Sequence, residues 1–247
     1  MKKYIFFFLL FITYLAAQDI INMYALYTPS HEILVNDFFK PSLQDSTIHL
    51  ILVHEDEQTC ESAKFMNQGW TKTTIKKIEL VLKAIKDNWG DIFIFSDVDI
   101  QFFGPLSLVI MELIQSYDLL IQKDNPKGTL CSGFFVCRAN SKTKQLFSDI
   151  LKYMQVHEEI SDQRTLNRHI SRNETKNKYE ICWNYLPTHL FFGGGTFTGK
   201  IWNQKSPLPV PKNPIMHHAN WVAGIEGKIK QLLYVKKIIE ERKKCSN

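Results

Sequence analysis

The sequence predicts an α/β fold in which helices flank a mainly parallel central sheet within a single domain. Three observations predict it: short apolar runs rich in β-branched residues, longer segments with helical spacing between them, and polar turns where the apolar runs end. Such alternation is typical of parallel sheets, whose ligands bind beyond the carboxyl ends of the strands. The length of 247 residues allows one large domain, and no repeat or low-complexity tract divides the chain.

Four apolar runs predict strands. The first covers residues 20–27, the second starts at Ile48, and the third covers residues 92–95 and leads directly into acidic residues. A further strand-like run, GFFVCR, lies between two helical patterns. Apolar runs of this length bounded by polar turns are consistent with buried strands.

Four segments have the apolar spacing of helices, and they cover residues 74–88, 106–116, 141–156 and 227–244. Gly90 follows the first of them and is a suitable helix stop. The last is amphipathic and rich in lysine on its polar face, which we interpret as a solvated surface.

Composition excludes several classes of protein. With 45% hydrophobic and 22% charged residues, the chain is neither disordered, collagen-like nor a polytopic membrane protein. The net charge of +5 is too modest to indicate a nucleic-acid partner.

The first 17 residues have the layout of a secretory signal peptide. Two lysines precede an apolar run over residues 4–15, and two alanines follow it. Residues 1–17 are therefore predicted to be a leader and residues 18–247 the mature domain, located in the secretory pathway (the ER or Golgi lumen) or exported. The alternatives are an uncleaved membrane anchor, although the run is shorter than the ~20 residues that span a bilayer, and a buried N-terminal strand.

Five cysteines could form two disulfides with one left over, and no pair has the spacing of a zinc site. Residues 173–175 form an N-glycosylation sequon.

Asp97 and Asp99 follow the third predicted strand. In extended geometry, residues two apart face the same side, so both carboxylates can enter one cavity. Two hard oxygen ligands suit Mg²⁺ or Mn²⁺, especially beside a diphosphate.

Three chemistries begin with acids after a strand. An aspartyl-phosphate phosphatase of the haloacid dehalogenase type needs Thr or Val where Gln101 stands, and a glycosidase needs its two carboxylates across the scissile bond. The third is glycosyl transfer from a nucleotide sugar, in which the acids hold a metal on the diphosphate.

The stretch GGGTFTGK matches part of a phosphate-binding loop, but Ile201 stands where Ser or Thr must bind magnesium. We interpret it as a glycine-rich loop near a substrate or as a surface turn.

Four stretches in order resemble one family. FSDVDIQF resembles the D-x-D element of GT-A glycosyltransferases, LCSGFFVCR their N-S-G strand, DQRTLN their D-Q-x-x-[LF]-N element, and HHANWVAGIEGK their closing histidine, glycine and lysine element. The chain is most similar to nucleotide-diphospho-sugar transferases such as plant cell-wall xylosyl- and arabinosyltransferases, and more distantly to glycogenin-like enzymes. The resemblance covers residues 20–228 and implies a GT-A-like, Rossmann-type sheet.

The resemblance implies a set of metal ligands. Asp97, Asp99 and His218 would hold Mn²⁺ or Mg²⁺, and Asp97 would also contact the donor ribose. His217 is a rival to His218, because neighbouring histidines leave the choice open.

The resemblance also implies donor contacts. Gly224 and Lys228 would contact the diphosphate, while Ser132 and Gly133 would line the sugar pocket. Cys131 departs from the family, whose members carry Asn there, and this leaves the identity of the sugar open.

Three further parts of the chain have implied roles. Asp162 and Gln163 would hold sugar hydroxyls at the reacting face, and residues 28–30 would lie near the base and ribose. Lys77 resembles the donor-binding lysine of the family, with a solvated helix face as the alternative.

The implied function is metal-dependent transfer of a sugar from a nucleotide-diphosphate sugar, a UDP-sugar, to a glycan, protein or lipid hydroxyl with retention. The implied partners include no nucleic acid, and membrane contact is limited to the N-terminal segment. The alternative is a secreted carbohydrate-binding or interaction module that has lost catalysis.

Overall fold

The computed structural model describes residues 20–58, 69–157, 159–170 and 178–246. The predicted leader, Cys60 and the sequon lie outside these ranges. Among the helices that the structure describes, none combines the length and the apolar character that crossing a bilayer requires.

The structure contains the four predicted strands and the four predicted helices, together with five strands and the helix over 162–169 that the sequence did not predict. The strands are β1 Ile21–Tyr27, β2 Ile48–His54, β3 Ile92–Ser96, β4 Ile100–Phe102, β5 Leu119–Lys123, β6 Leu130–Arg138, β7 Trp183–Tyr185, β8 Phe191–Gly193 and β9 Met216–His218. The longer helices are α1 Trp70–Asp87, α2 Leu106–Leu113, α3 Ser141–Val156, α4 Asp162–His169 and α5 Gly224–Ser246. Short helical turns also cover residues 29–42.

The central sheet has the strand order β2-β1-β3-β6-β5-β7. β6 pairs antiparallel with both β3 and β5, while the other neighbours pair in parallel. Of these six strands, β6 is therefore antiparallel to the other five. The prediction of a mainly parallel sheet is confirmed. Because β6 is reversed, its amino end lies beside the carboxyl end of β3, where Phe134 pairs with Ser96.

A second, three-stranded sheet has the order β4-β9-β8. β4 and β9 pair antiparallel, with Ile100 opposite His218 and Gln101 opposite His217. This small sheet brings a histidine from late in the chain to the acids that follow β3.

The central sheet has an apolar core on each face. Phe93 and Phe95 of β3 belong to the cluster packed under α1 and α3, whereas Ile94 belongs to the cluster on the opposite face. Alternation along an extended strand explains this division. With both faces covered, the open edge at the carboxyl ends of the parallel strands is left for polar groups.

Candidate active site

The two acids connect the two sheets. Asp97 directly follows β3 and Asp99 directly precedes β4. The backbone N–H of Asp97 donates to the carbonyl oxygen of Gly133 (2.7 Å), and the carbonyl oxygen of Asp99 accepts from the N–H of Ala219 (2.8 Å). Each acid is thus fixed by backbone bonding to a different sheet.

His218 completes a cluster with the acids. Its Nε2 lies 3.2 Å from Asp99 Oδ1, and one ligand atom each from Asp97, Asp99 and His218 lie within 4.8 Å of one another. His217, the rival ligand, is buried against Phe192 with ring centroids 4.5 Å apart. Neighbouring residues of a strand face opposite sides, so the structure brings His218 to the acids and His217 away from them.

The cluster fits a divalent cation. Two carboxylates and one imidazole form an oxygen and nitrogen donor set that suits Mn²⁺ and also Mg²⁺. Gly133 lies directly beside this cluster, because a Cβ on it would be 2.7 Å from Asp97 Oδ2 and would overlap the His218 ring. The absence of a side chain at residue 133 therefore keeps the space beside the donors open.

Lys77 is buried on α1 and contacts two acids. Its Nζ lies 2.9 Å from Asp97 Oδ1 and 3.0 Å from Asp162 Oδ2. Burial lowers the pKa of this amine, but the two carboxylates outweigh burial and raise it above its ordinary value. The alternative of a solvated helix face is wrong, because the helix turns this lysine inward to join α1, β3 and α4.

Lys228 of α5 contacts the second acid, since its Nζ donates to Asp99 Oδ2. Burial alone would raise the pKa of Asp99, yet Lys228 and His218 hold it well below its usual range. Two cations thus keep this buried carboxylate ionised.

The pKa values of the two neighbouring histidines are shifted in opposite directions. Burial lowers the pKa of His218, but Asp99 outweighs it and raises the pKa to about 10. For His217, burial and the charge of His218 lower the pKa to about 3. His217 is therefore a neutral group of the interior.

The DQRTLN stretch docks α4 against the beginning of β6. The Ser132 N–H donates to Gln163 Oε1 (3.3 Å), and the side chain of Asn167 bonds both the N–H and the carbonyl oxygen of Leu130 (2.8 Å each). These bonds place Gln163 beside Ser132, and Asp162 precedes Gln163 at the start of α4.

Gly224 and residues 28–30 lie at the edges of the site. Gly224 begins α5 with a φ of +67°, and a Cβ there would meet nothing within 4 Å, so the structure gives it no contact that tests the predicted role. The hydroxyls of Thr28 and Ser30 lie 3.2 and 3.0 Å from His31 Nδ1. His31 is a site group that the sequence did not reveal: its pKa is lowered by burial and Lys228, partly opposed by Asp99.

The glycine-rich loop packs against the segment that follows β9. A Cβ on Gly194 would overlap the backbone oxygen of Asn220, and one on Gly195 would overlap the Trp221 indole. Trp221 has a φ of +54° and donates from Nε1 to Asp124 Oδ1 (3.0 Å). Asp124 is buried and belongs to no sequence motif. The contacts of the glycine-rich loop indicate that it is a close-packed wall of the site.

The described cysteines are free thiols, namely Cys131, Cys137, Cys182 and Cys245. The structure therefore shows no disulfide among these four, in contrast to the two bridges that five cysteines could form. Cys131 Sγ lies 3.6 Å from His218 Nδ1, so the residue that departs from the family lies beside a candidate metal ligand.

Three solved structures with the same fold are glycosyltransferases. A glycosyltransferase involved in the glycosylation of the major capsid of PBCV-1 has a TM-score of 0.57 at 8% identity, over 86% of this chain and 98% of that one. GlyE of Streptococcus pneumoniae TIGR4 has a TM-score of 0.53 at 12% identity, over 93% of this chain and 64% of GlyE. An active-site mutant of LgtC has a TM-score of 0.50 at 9% identity, over 81% of this chain and 87% of LgtC. The fold is thus that of GT-A glycosyltransferases.

The sequence profile of nucleotide-diphospho-sugar transferases matches residues 40–232. The chain belongs to the nucleotide-diphospho-sugar transferase family and is a glycosyltransferase that uses a nucleotide-sugar donor. No protein of curated function matches the chain in sequence.

Proposed function

We propose that the protein transfers a sugar from a UDP-sugar to an acceptor hydroxyl, in a reaction that needs Mn²⁺ or Mg²⁺ and retains the anomeric configuration. The observation that carries the proposal is the convergence of Asp97, Asp99 and His218 within 4.8 Å at the end of β3. Lys77 and Lys228 bring two ammonium groups to the same cluster.

The site residues have separate tasks in this proposal. A divalent cation held by Asp97, Asp99 and His218 would supply Lewis-acid chemistry at the donor diphosphate. Lys228 would stabilise the negative charge that develops on the departing nucleotide diphosphate. Gly224, at the amino end of α5, would let the diphosphate approach the backbone closely, since glycine has no side chain to block it.

The sugar would lie against β6 and α4. Ser132 and Gly133 would line its pocket, and Asp162 and Gln163 would bind its hydroxyls. Asp162 is ion-paired with Lys77, which supports a role in binding and in stabilising positive charge rather than in nucleophilic attack.

In the proposed reaction, the bond between the anomeric carbon and the phosphate oxygen breaks, and its electron pair stays on the diphosphate. The acceptor oxygen forms a new bond to that carbon from the same face, and its proton passes to the departing phosphate oxygen. The family resemblance supports retention. The predicted leader supports a reaction in the ER or Golgi lumen or outside the cell, with a glycan, protein or lipid as the acceptor.

Thermal unfolding of residues 18–247 against a panel of sugar nucleotides, with and without Mn²⁺, tests the donor site. A ligand that binds only the folded state raises the melting temperature. We expect one UDP-sugar to stabilise the protein only with Mn²⁺, and Asp99→Asn to lose this effect. Asp87→Asn is the control, because this carboxylate lies at the far end of α1 and bonds Lys83.

Three results would contradict parts of the proposal. Equal donor stabilisation without any divalent metal would remove the metal requirement, and NMR of the product showing an inverted anomeric centre would remove retention. No stabilisation by any sugar nucleotide would instead favour the carbohydrate-binding alternative.

A further inference from the structure

Gln122 is a buried amide near the carboxyl end of a strand of the central sheet. It lies on β5 and is completely shielded from solvent. The pairing of β5 with β6 shifts at this point, so Ile121 is opposite Phe135 whereas Gln122 is opposite Cys131. Irregularities of this kind re-aim side chains and are frequent beside active sites.

The amide contacts the side of His218 that faces away from the acids. Gln122 Oε1 lies 2.9 Å from His218 Nδ1, while His218 Nε2 lies 3.2 Å from Asp99 Oδ1. A carbonyl oxygen can only accept a hydrogen bond, so Nδ1 must carry the hydrogen in this pair. Nε2 is then the nitrogen directed toward Asp97 and Asp99.

Packing alone does not account for an amide at this position. Burying an amide costs free energy unless its polar atoms are hydrogen-bonded, and Gln122 Nε2 has no hydrogen-bond partner among the described residues. The Oε1 contact with His218 is therefore the polar interaction that this side chain makes. Cys131 Sγ also approaches Nδ1, but at 3.6 Å sulfur is a weak partner.

We propose that Gln122 is a positioning residue for the metal centre, which holds the His218 ring in place through a hydrogen on Nδ1 so that Nε2 is the nitrogen directed to the cation. The inference rests on the metal-dependent function proposed above. Groups that bond the second nitrogen of a metal-binding histidine fix its tautomer and orientation, and removing them typically costs roughly 10–100-fold in metal affinity or activity.

Mn²⁺ titration followed by the EPR signal of the free ion tests this inference. Gln122→Met keeps the side-chain volume and removes the amide, and we expect it to weaken Mn²⁺ binding roughly 10–100-fold. Gln122→Glu keeps an acceptor oxygen, and we expect binding close to that of the wild type. Gln101→Met is the matched control, because Gln101 is also a buried glutamine, but its Oε1 has no hydrogen-bond partner among the described residues.

Two further measurements separate positioning from a general loss of folding. In a His218→Ala background, Gln122→Met should no longer change Mn²⁺ affinity, because the two residues act through one contact. NMR of the metal-free protein should show a protected Nδ1 hydrogen on His218 that Gln122→Met loses.

If the wild type binds Mn²⁺ and a folded Gln122→Met variant binds it equally well, the inference about Gln122 is overturned, whereas the metal-dependent function is not. A wild-type protein that binds no Mn²⁺ would overturn both the inference and the metal-dependent function.

Discussion

Gly133 and His218 approach so closely that a methyl group on Gly133 would overlap the imidazole ring. Asp97 Oδ2 would lie only 2.7 Å from the same methyl group. The predicted consequence of Gly133→Ala is displacement of His218 and Asp97, with a loss of at least roughly tenfold in Mn²⁺ affinity, as for loss of a ligand's support. Mn²⁺ titration of the purified variant measures this loss.

Gly104→Ala is the control for that substitution, because its Cβ would lie 3.0 Å from the flexible end of Ile215 and 3.9 Å from the next nearest atoms, which also belong to Ile215. Full Mn²⁺ affinity in Gly133→Ala would show that the cluster does not need this space.

Lys77 forms ion pairs with two carboxylates, so Lys77→Met should destabilise the fold as well as the site. Asp162 is almost fully buried and would lose its cationic partner. Breaking a buried ion pair from one side costs about 3–5 kcal/mol. Urea unfolding measures the free energy of unfolding, and adding Asp162→Asn to Lys77→Met should restore part of it. If Asp162→Asn lowered the free energy of unfolding of the Lys77→Met protein as much as it lowers that of the wild type, the two residues would not be coupled.

Asp45 is not a candidate metal ligand, and its hydrogen bonds predict a pH-dependent contribution to stability. Its carboxylate accepts from the Ser107 N–H in the first turn of α2 (2.8 Å) and from the Thr47 hydroxyl (2.7 Å). Burial raises the pKa of Asp45, but these hydrogen bonds outweigh burial and lower it. The folded-state pKa is below that of the unfolded chain, so the contribution is present above about pH 4 and is lost as the pH falls through the folded value.

The matching experiment compares Asp45→Asn with the wild type by urea unfolding at pH 7 and pH 3. We expect the variant to be about 1 kcal/mol less stable at pH 7, as for loss of a charged helix cap, and the difference to shrink at pH 3. A difference that is the same at both pH values would contradict the assignment.

Gly195→Ala should move Trp221 and leave the metal cluster in place. The added methyl would overlap the indole, whose Nε1 donates to Asp124. We expect altered tryptophan fluorescence and at least roughly tenfold lower transfer activity with unchanged Mn²⁺ affinity, because Gly195 and Trp221 hold no candidate metal ligand. Trp221→Phe removes the N–H but keeps an aromatic ring, and it separates loss of that bond from displacement. Equal loss of Mn²⁺ affinity in Gly195→Ala would show that the wall and the cluster are one unit.

The parts of the fold that the sequence predicted are those with long, regular patterns. Helix α3 begins and ends where the spacing predicted, and Asn140 caps its start by accepting from the Lys142 and Thr143 N–H groups. The strands β4, β7, β8 and β9 have three residues each, too few for a period to be recognised, and they were missed, as was the five-residue β5.

The site was predictable where a motif carried the residue. The acids, His218 and Lys228 belong to motifs, and the structure brings them together. Gln122 and Asp124 belong to no motif. Their places in the site depend on a shift in β5 pairing and on contacts with residues almost 100 positions away, which the sequence alone does not reveal.

Because β4 pairs with β9 from late in the chain, the cluster can be completed only late in synthesis. Asp97 and Asp99 leave the ribosome more than 100 residues before His218 and Lys228, which contact Asp99 in the folded chain. A growing chain that already contains β1, β3 and β6 would still lack the imidazole and the ammonium group that complete the cluster. Donor binding of the proposed kind therefore begins only when synthesis has passed the start of α5, so incomplete chains would carry the acids without the ability to use them.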